Sequence, residues 1–312
     1  MIVTVTMNPA VDKTLDVENF SAGAMNRVKA VVREAGGKGI NVSKNVQMLG
    51  GRTIACGFLG GGTGNLIGQS LDEMGISHRF IYIDGETRTN VKLVDTAAGG
   101  MITEINEPGP RVSQTDIDEL LDLLKSLAGP STIFVFSGSL PLGAGADAYA
   151  YMIRRLKRFQ PTICADAEGD VLTETIKAKP YLIKPNTSEL ARYFGLSNDL
   201  SEASIIDLGR ELISKGIYSV AVSRGKDGAV FFDNGNIYKA CGMYVHPHST
   251  VGAGDAMLAA LAYGLDAELP FEETARLSIA ASAGSCTTIG TKPPAKELVD
   301  ELVKEVKLEQ IG

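Results

Sequence analysis

"SQTDIDELLDLLKSLAGPSTIFVFSGSLP", residues 113–141, holds one complete building unit of the fold. Ser113 stands where a helix cap belongs, and Ile117, Leu120, Leu121 and Leu124 follow at i, i+3, i+4 and i+7. That spacing puts an apolar stripe on one side of a half-buried helix, which Gly129 ends. "TIFVF" (132–136) then runs apolar without alternation, the pattern of a strand covered on both faces. A helix feeding such a strand is the unit of a parallel sheet wrapped by helices.

The unit recurs downstream. "TICAD" (162–166), "YLIK" (181–184) and "YSVAVS" (218–223) are short apolar runs separated by stretches of helical length. The fold class is therefore α/β with a mostly parallel sheet. Ligands of such sheets sit beyond the carboxyl ends of the strands. "SGSLP" (137–141), "DAEG" (166–169), "KPNTSE" (184–189) and "SRGKDG" (223–228) should therefore share one rim. Two stretches break the rhythm. Residues 14–33 and 87–106 alternate in polarity as two hairpins, with "DTAAGG" as the second turn. With no linker in view, the reading is a single domain over residues 1–312. A small sheet, from about 13–33 and 87–107, is inserted into it at two points.

Net charge is −7 over 312 residues, so no general attraction to nucleic acid or anionic membrane is expected. A phosphate ligand would need local cations and backbone amides. The amino terminus lacks a basic leader segment, and no run approaches the ~18 apolar residues of a membrane span. Cys56, Cys164, Cys241 and Cys286 are far apart, as free thiols in a reducing cytoplasm would be.

Four glycine-rich or polar loops bear on chemistry. "GGGTGNLIG" (60–68), with Asp84 downstream, invites a dinucleotide reading, but its spacing is G-x-G-x-x-x-G and a plain turn into a helix explains it. In "EAGGKGINVSKNVQMLGG" (34–51), glycines surround Lys38 and Asn41 opens a helix. Flexible backbone at a helix start suits an anion or a hydroxyl-rich ligand, and Asn41 offers both a donor and an acceptor; a tight turn is the equal alternative. In "KPNTSEL", Asn186 and Glu189 are spaced either to share a metal's water shell or to form a capping box, and local chemistry favours the box. "STVGAGDAML" (249–258) places Gly252, Ala253 and Gly254 at the start of an apolar helix, with Asp255 in its first turn. Amides there could form an anion hole. Asp255 could equally stabilise the helix dipole or serve as a general base. A hydrolase or zinc reading fails: there is no G-x-S-x-G elbow, and His246 and His248 lack a third ligand at recognisable spacing.

These motifs together resemble the phosphofructokinase B group of ribokinase-like sugar kinases over essentially the whole chain. "GGKGINVSKNVQMLGGRTIACGFLG" (36–60) and "STVGAGDAMLAALA" (249–262) match its two signatures, and "TMNPAVD", "SGSLP", "KPNTSE" and "SRGKDG" stand in the family's order. "TRTNVKL" (87–93) fits the hexose-phosphate branch. The resemblance implies a ribokinase-like three-layer αβα core with the small sheet as a lid, and possibly a homodimer through that lid. It implies phosphoryl transfer from ATP and Mg2+ to a ketohexose phosphate. Fructose 1-phosphate leads, with tagatose 6-phosphate as the alternative and a non-catalytic sugar-phosphate sensor as the rival of another class. By position, Asp255 would be the base and Gly252, Ala253 and Gly254 the anion hole. Asp12, Gly37, Asn41 and Ser137 would meet sugar hydroxyls, and Arg27, Lys38, Arg88 and Lys92 the sugar phosphate. Lys184, Ser223, Gly225, Gly228, Ala281 and Ser285 would surround ATP, and Asn186 and Glu189 would organise the metal. Ser249 stands where relatives that depend on a monovalent cation carry an acid, which puts that dependence in doubt.

Overall fold

Apolar runs without alternation form the centre of a large sheet in the computed structural model, which describes residues 1–246 and 248–312. Pro247, between His246 and His248, lies outside the described residues. The first third of the chain supplies strands β1 (Ile2–Thr6), β2 (Ala10–Val17), β3 (Val28–Gly36), β4 (Thr53–Leu59), β5 (Ser77–Tyr82), β6 (Arg88–Asp95) and β7 (Met101–Asn106). The rest supplies β8 (Ile133–Ser137), β9 (Thr162–Asp166), β10 (Leu182–Ile183), β11 (Ser219–Ser223), β12 (Ala229–Asp233), β13 (Asn236–Ala240) and β14 (Leu308–Gln310). Helices α1 (Lys38–Met48) and α2 (Gly61–Glu73) flank β4. Between β7 and β11 run α3 (Gln114–Leu127), α4 (Ala148–Leu156), α5 (Gly169–Lys177), α6 (Thr187–Tyr193) and α7 (Glu202–Ser214). After β13 come α8 (Ala253–Asp266), α9 (Phe271–Ser285) and α10 (Lys296–Glu305).

Ten strands form the large sheet in the order β14-β13-β12-β11-β10-β9-β8-β1-β4-β5. Pairing is parallel from β5 to β11, and β12 to β14 extend the edge antiparallel. The two-residue period of the strands sorts their side chains into two cores. Val3, Val5, Phe134, Phe136, Ile163 and Ala165 point to the side covered by α3 to α7. Ile2, Ile133, Val135 and Cys164 point to the side covered by α1 and α8 to α10. The result is the three-layer αβα arrangement expected from the 113–141 unit. Ser113 does cap α3, in a box closed by Asp116.

Four strands form the small sheet, in the order β3-β2-β6-β7. The two expected hairpins are present and are joined by parallel pairing of β2 with β6. The first is longer than alternation suggested, because its ladder begins at Ala10↔Gly36. Ala10, Val11 and Asp12 are all buried, so the polar–apolar alternation starts only beyond them. At this root Val11 and Ala35 pack with Ile40, Ile67 and Leu71, which seats the small sheet on α1 and α2.

One packing contact separates helix propensity from core fit. A Cβ on Gly209, in α7, would lie 2.1–2.7 Å from the Phe232 ring of β12. Propensity alone would make Gly209→Ala stabilising by ~1 kcal/mol, whereas forcing a methyl into a filled core costs ~1–3 kcal/mol. The clash is larger. Urea unfolding of Gly209→Ala is expected to show a net loss of about 1–2 kcal/mol, and a gain would contradict this packing of α7 on β12.

Candidate active site

Because β8 to β11 run parallel, Ser137, Asp166, Ile183 and Ser223 end on the same rim. The loops that leave them therefore converge. Two helix N-termini meet them there. α1 starts at Gly37, whose φ of 111° only glycine adopts easily. A Cβ on Gly37 would sit 2.8 Å from Thr6 Cγ2. α8 starts at Gly252 in the left-handed region, φ 85°. Neither helix has a side-chain cap, so no side chain occupies the amides of the first turns.

Asp255, in the first turn of α8, does not reach back to its own helix start. Its Oδ2 accepts a hydrogen bond of 2.8 Å from Asn41 Nδ2 on α1. The carboxylate is 6% exposed. Burial pushes its pKa up to about 6, and Asp166 adds to that, while the Asn41 bond, Lys38 and Lys184 oppose it. This side chain is thus aimed at the junction of the two helices and poised to exchange a proton near neutral pH.

Asp166 is a site residue that the sequence reading placed on the rim without assigning it a role. It is 3% exposed, and its Oδ2 lies 3.4 Å from Lys184 Nζ and 3.8 Å from Lys38 Nζ. Asp166 is also the main reason the Lys38 pKa is raised. The Lys184 ammonium stands over the start of α8, 3.2 Å from where a Gly254 Cβ would be.

A second polar group lies at the root of the small sheet. Asn90 Nδ2 donates to Asp12 Oδ1 at 3.1 Å across the β2–β6 pair, and Lys92 Nζ is 3.5 Å from Asp12 Oδ2. Asn90 too escaped sequence reasoning, because a single amide in an alternating strand gives no signal. Arg88 donates to the carbonyl oxygens of Asn8 and Glu107, both at 3.0 Å. Its Nε, together with Asn41 Oδ1, Asn90 Oδ1 and Ser137 Oγ, is buried without a protein partner. Orphaned buried polar atoms are rare; three of these four belong to residues assigned above to a sugar phosphate, and Asn90 is bonded to a fourth such residue, Asp12. Arg27 is not among them. It is exposed in the β2–β3 connection, beyond the Val17↔Val28 pair and about 16 Å of strand from Asp12.

On the other side, Ser223 donates its N–H to Pro185 O at 3.0 Å, which sets Ser223 beside Asn186. Gly225 and Gly228 bracket the tight turn that follows β11. Ala281 and Ser285 are buried on α9, the neighbour of α8. Asn186 and Glu189 form the capping box in full. Asn186 Oδ1 accepts from the Glu189 N–H at 2.9 Å, and Glu189 Oε2 accepts from the Asn186 N–H at 2.8 Å. Glu189 Oε1 remains outside the box. Burial raises the Glu189 pKa, with the Asn186 amide opposing. Among the described residues no group of three or more His, Cys, Asp or Glu could hold a metal alone. A spare carboxylate oxygen on this rim does fit Mg2+, a hard ion that keeps most of its waters. The "GGGTGNLIG" loop has a different occupant. The Glu86 carboxylate accepts from the Gly62 and Thr63 amides, so the start of α2 is already satisfied by the chain itself.

The chain is similar to known proteins over nearly its whole length. The family model described as pfkB family carbohydrate kinase matches residues 5–298. A 1-phosphofructokinase of Borreliella burgdorferi is 35% identical over 312 residues, covering 100% of this chain and 99% of that one. A D-tagatose-1-phosphate kinase of Bacillus licheniformis is 32% identical over 308 residues, covering 99% of each. Phosphofructokinase-2 from Escherichia coli, solved in complex with substrates and products, superposes with a TM-score of 0.92 at 25% identity, covering 97% of this chain and 98% of that one.

Ionising Asp255 where it is buried costs stability. Its value of about 6 in the folded chain lies above the ordinary 3.8, so folding takes up a proton between these limits. Stability from this group is full below about pH 4 and is lost as pH rises through about 6. Asp255→Asn removes the charge and keeps an acceptor for Asn41. It is expected to be more stable than the parent by about 1–3 kcal/mol at pH 7.5, the gap closing toward pH 4 in urea titrations. A variant less stable than the parent at pH 7.5 would contradict a weakly compensated charge at this position.

Proposed function

This chain belongs to the pfkB family of carbohydrate kinases and is a phosphotransferase related to fructose-phosphate kinases; we propose that it transfers the terminal phosphoryl group of ATP to O6 of fructose 1-phosphate. The observation that carries this reading is Asp255, a buried carboxylate of raised pKa beside the uncapped N-terminus of α8. A primary hydroxyl needs a base to accept its proton as phosphorus is attacked, and the phosphoryl group needs donors to stabilise its charge. Asp255 and the amides of Gly252, Ala253 and Gly254 supply both within one helical turn.

The remaining roles are those that the family resemblance implies, and the positions of these residues support them. Asp12, Gly37, Asn41 and Ser137 orient the sugar hydroxyls, and Arg88 and Lys92 take the phosphate at carbon 1. Lys38 and Lys184 face the phosphoryl group in transit. Ser223, Gly225 and Gly228 line the ATP phosphates, with Ala281 and Ser285 beside the nucleoside. Asn186 and Glu189 would hold Mg2+ through its waters, and the bound ion would neutralise phosphate charge. Local cations thus let a chain of net charge −7 bind two polyanions. Closure of the small sheet over the sugar would exclude water. Buried free thiols at Cys56 and Cys164 fit work in the cytoplasm.

A second substrate reading rests on the Bacillus licheniformis relative. Tagatose 1-phosphate differs from fructose 1-phosphate only in configuration at C4, so phosphate and acceptor hydroxyl keep their separation. It is the alternative favoured over tagatose 6-phosphate. Kinase assays with these three sugars and fructose 6-phosphate are expected to give the highest kcat/KM for fructose 1-phosphate. A higher value for any other would overturn the substrate assignment.

At saturating sugar and ATP, kcat is expected to fall as pH drops through about 6, where Asp255 takes up a proton. Asp255→Asn should lose on the order of 10²-fold or more in kcat and keep substrate binding. Turnover near that of the parent would remove Asp255 as the base.

The outer face of the small sheet supports a homodimer. Val31, Leu15 and Leu93 line up across β3, β2 and β6, and Val91 and Ile105 share that face one rung away. Val31 is 44% exposed and Ile105 56% exposed. Such a face on an open sheet calls for cover, and a second copy provides it symmetrically. Light scattering should give a dimer for the parent and a monomer for Val31→Lys combined with Ile105→Lys; a monomeric parent would contradict the proposal.

A further inference from the structure

Asp166 lies at a place where the two halves of the site touch. It ends β9 on the rim and is 3% exposed. One of its oxygens, Oδ2, faces both Lys184 Nζ at 3.4 Å and Lys38 Nζ at 3.8 Å. Lys38 opens α1, beside the sugar groups. Lys184 stands two residues before Asn186, beside the nucleotide groups, and its ammonium hangs over Gly254. Two ammonium groups on long, flexible stems, Lys184 buried and Lys38 partly exposed, repel each other and lose rotamer freedom when fixed. A carboxylate between them removes the repulsion and fixes both stems. Each ammonium has three donors, so one directed at Asp166 leaves two for phosphate oxygens. The trio carries a net positive charge, suited to an anion crossing between the halves.

We infer that Asp166 is a positioning residue that holds Lys38 and Lys184 converged on the first turn of α8, where the phosphoryl group passes. It acts through the two lysines. This inference rests on the sugar-kinase reading of the site, and the two fail differently. A parent protein inactive on every ketohexose phosphate would sink the kinase reading, whereas the role of Asp166 is judged against an active parent.

Asp166→Asn keeps the shape of the side chain and removes its charge. It is expected to fold with little change in Tm, to keep the KM for sugar phosphate and ATP within about threefold, and to lose about 10²-fold in kcat, the scale of one misplaced electrostatic contact. The acid limb of kcat should also move to lower pH. Asp255, faced by Asp166, Lys38, Lys44, Lys184 and Asn41, then loses the one neighbouring carboxylate that raises its pKa. Lys184→Met should cost less in the Asp166→Asn background than in the parent, because the two act as a unit. Parental kcat and pH profile, additive losses, or recovery of kcat by raised Mg2+, which would make Asp166 a metal-holding group, each overturn the inference. Should Asp166→Asn not fold, Lys38→Met and Lys184→Met, alone and combined, test the same point. Coupled losses support convergence through Asp166, and additive losses contradict it.

Discussion

The hydrogen bond from Asn41 Nδ2 to Asp255 Oδ2 joins two helix N-termini whose residues are 214 positions apart in the chain. Both helices cover the same face of the large sheet, and both start at glycine turns that leave their first amides without side-chain caps. The bond can form only if β1 and β8 set α1 and α8 side by side. Burial follows from that packing, and the raised pKa of Asp255 follows from burial. The site is therefore a property of the whole αβα stack. Its chemistry depends on keeping an acid ionisable where water is scarce.

That choice carries an electrostatic consequence. Two carboxylates, Asp255 and Asp166, are buried at the same rim, and Asp166 raises the energy of the Asp255 charge. Lys38 and Lys184 offset this, and Lys44 contributes a further ammonium whose own charge burial opposes. Its Nζ donates to Ala35 O at the foot of the small sheet. Stability lost to such a cluster is typical of sites built to bind a passing charge. On the far side of Asp12, β6 carries Arg88, Asn90 and Lys92 on one face, beside a β2–β3 ladder whose register begins at Ala10↔Gly36.

Much of this could be read before any coordinates. The 113–141 unit gave the αβα class because apolar periodicity survives in a single sequence. The hairpins were visible because alternation in polarity needs only local information. Signature loops single out Gly37, Asn41, Lys184 and Asp255, which the structure brings to one rim, because glycine-rich helix starts stand out in a single sequence. Three features were illegible for physical reasons. Asp166 and Asn90 are single polar residues, and only pairing across strands reveals what they face. Alternation makes the small sheet's root look shorter than it is, because buried Ala10 and Val11 break the pattern. Asn186 and Glu189 satisfy a capping box and a metal-site spacing with the same three-residue step, so the sequence alone could not separate them. Position in a motif groups Arg27 with the sugar-phosphate cations, whereas the hairpin sets it beyond the Val17↔Val28 pair, at the opposite end of β2 from Asp12.

A crystal structure with fructose 1-phosphate and a non-hydrolysable ATP analogue tests the placement of Asp255 most directly. The expected result puts O6 of the sugar within ~2.6–3.2 Å of the Asp255 carboxylate, with the terminal phosphoryl group on the amides of Gly252, Ala253 and Gly254. An O6 outside hydrogen-bond reach of Asp255, with the terminal phosphoryl group away from the start of α8, would contradict it.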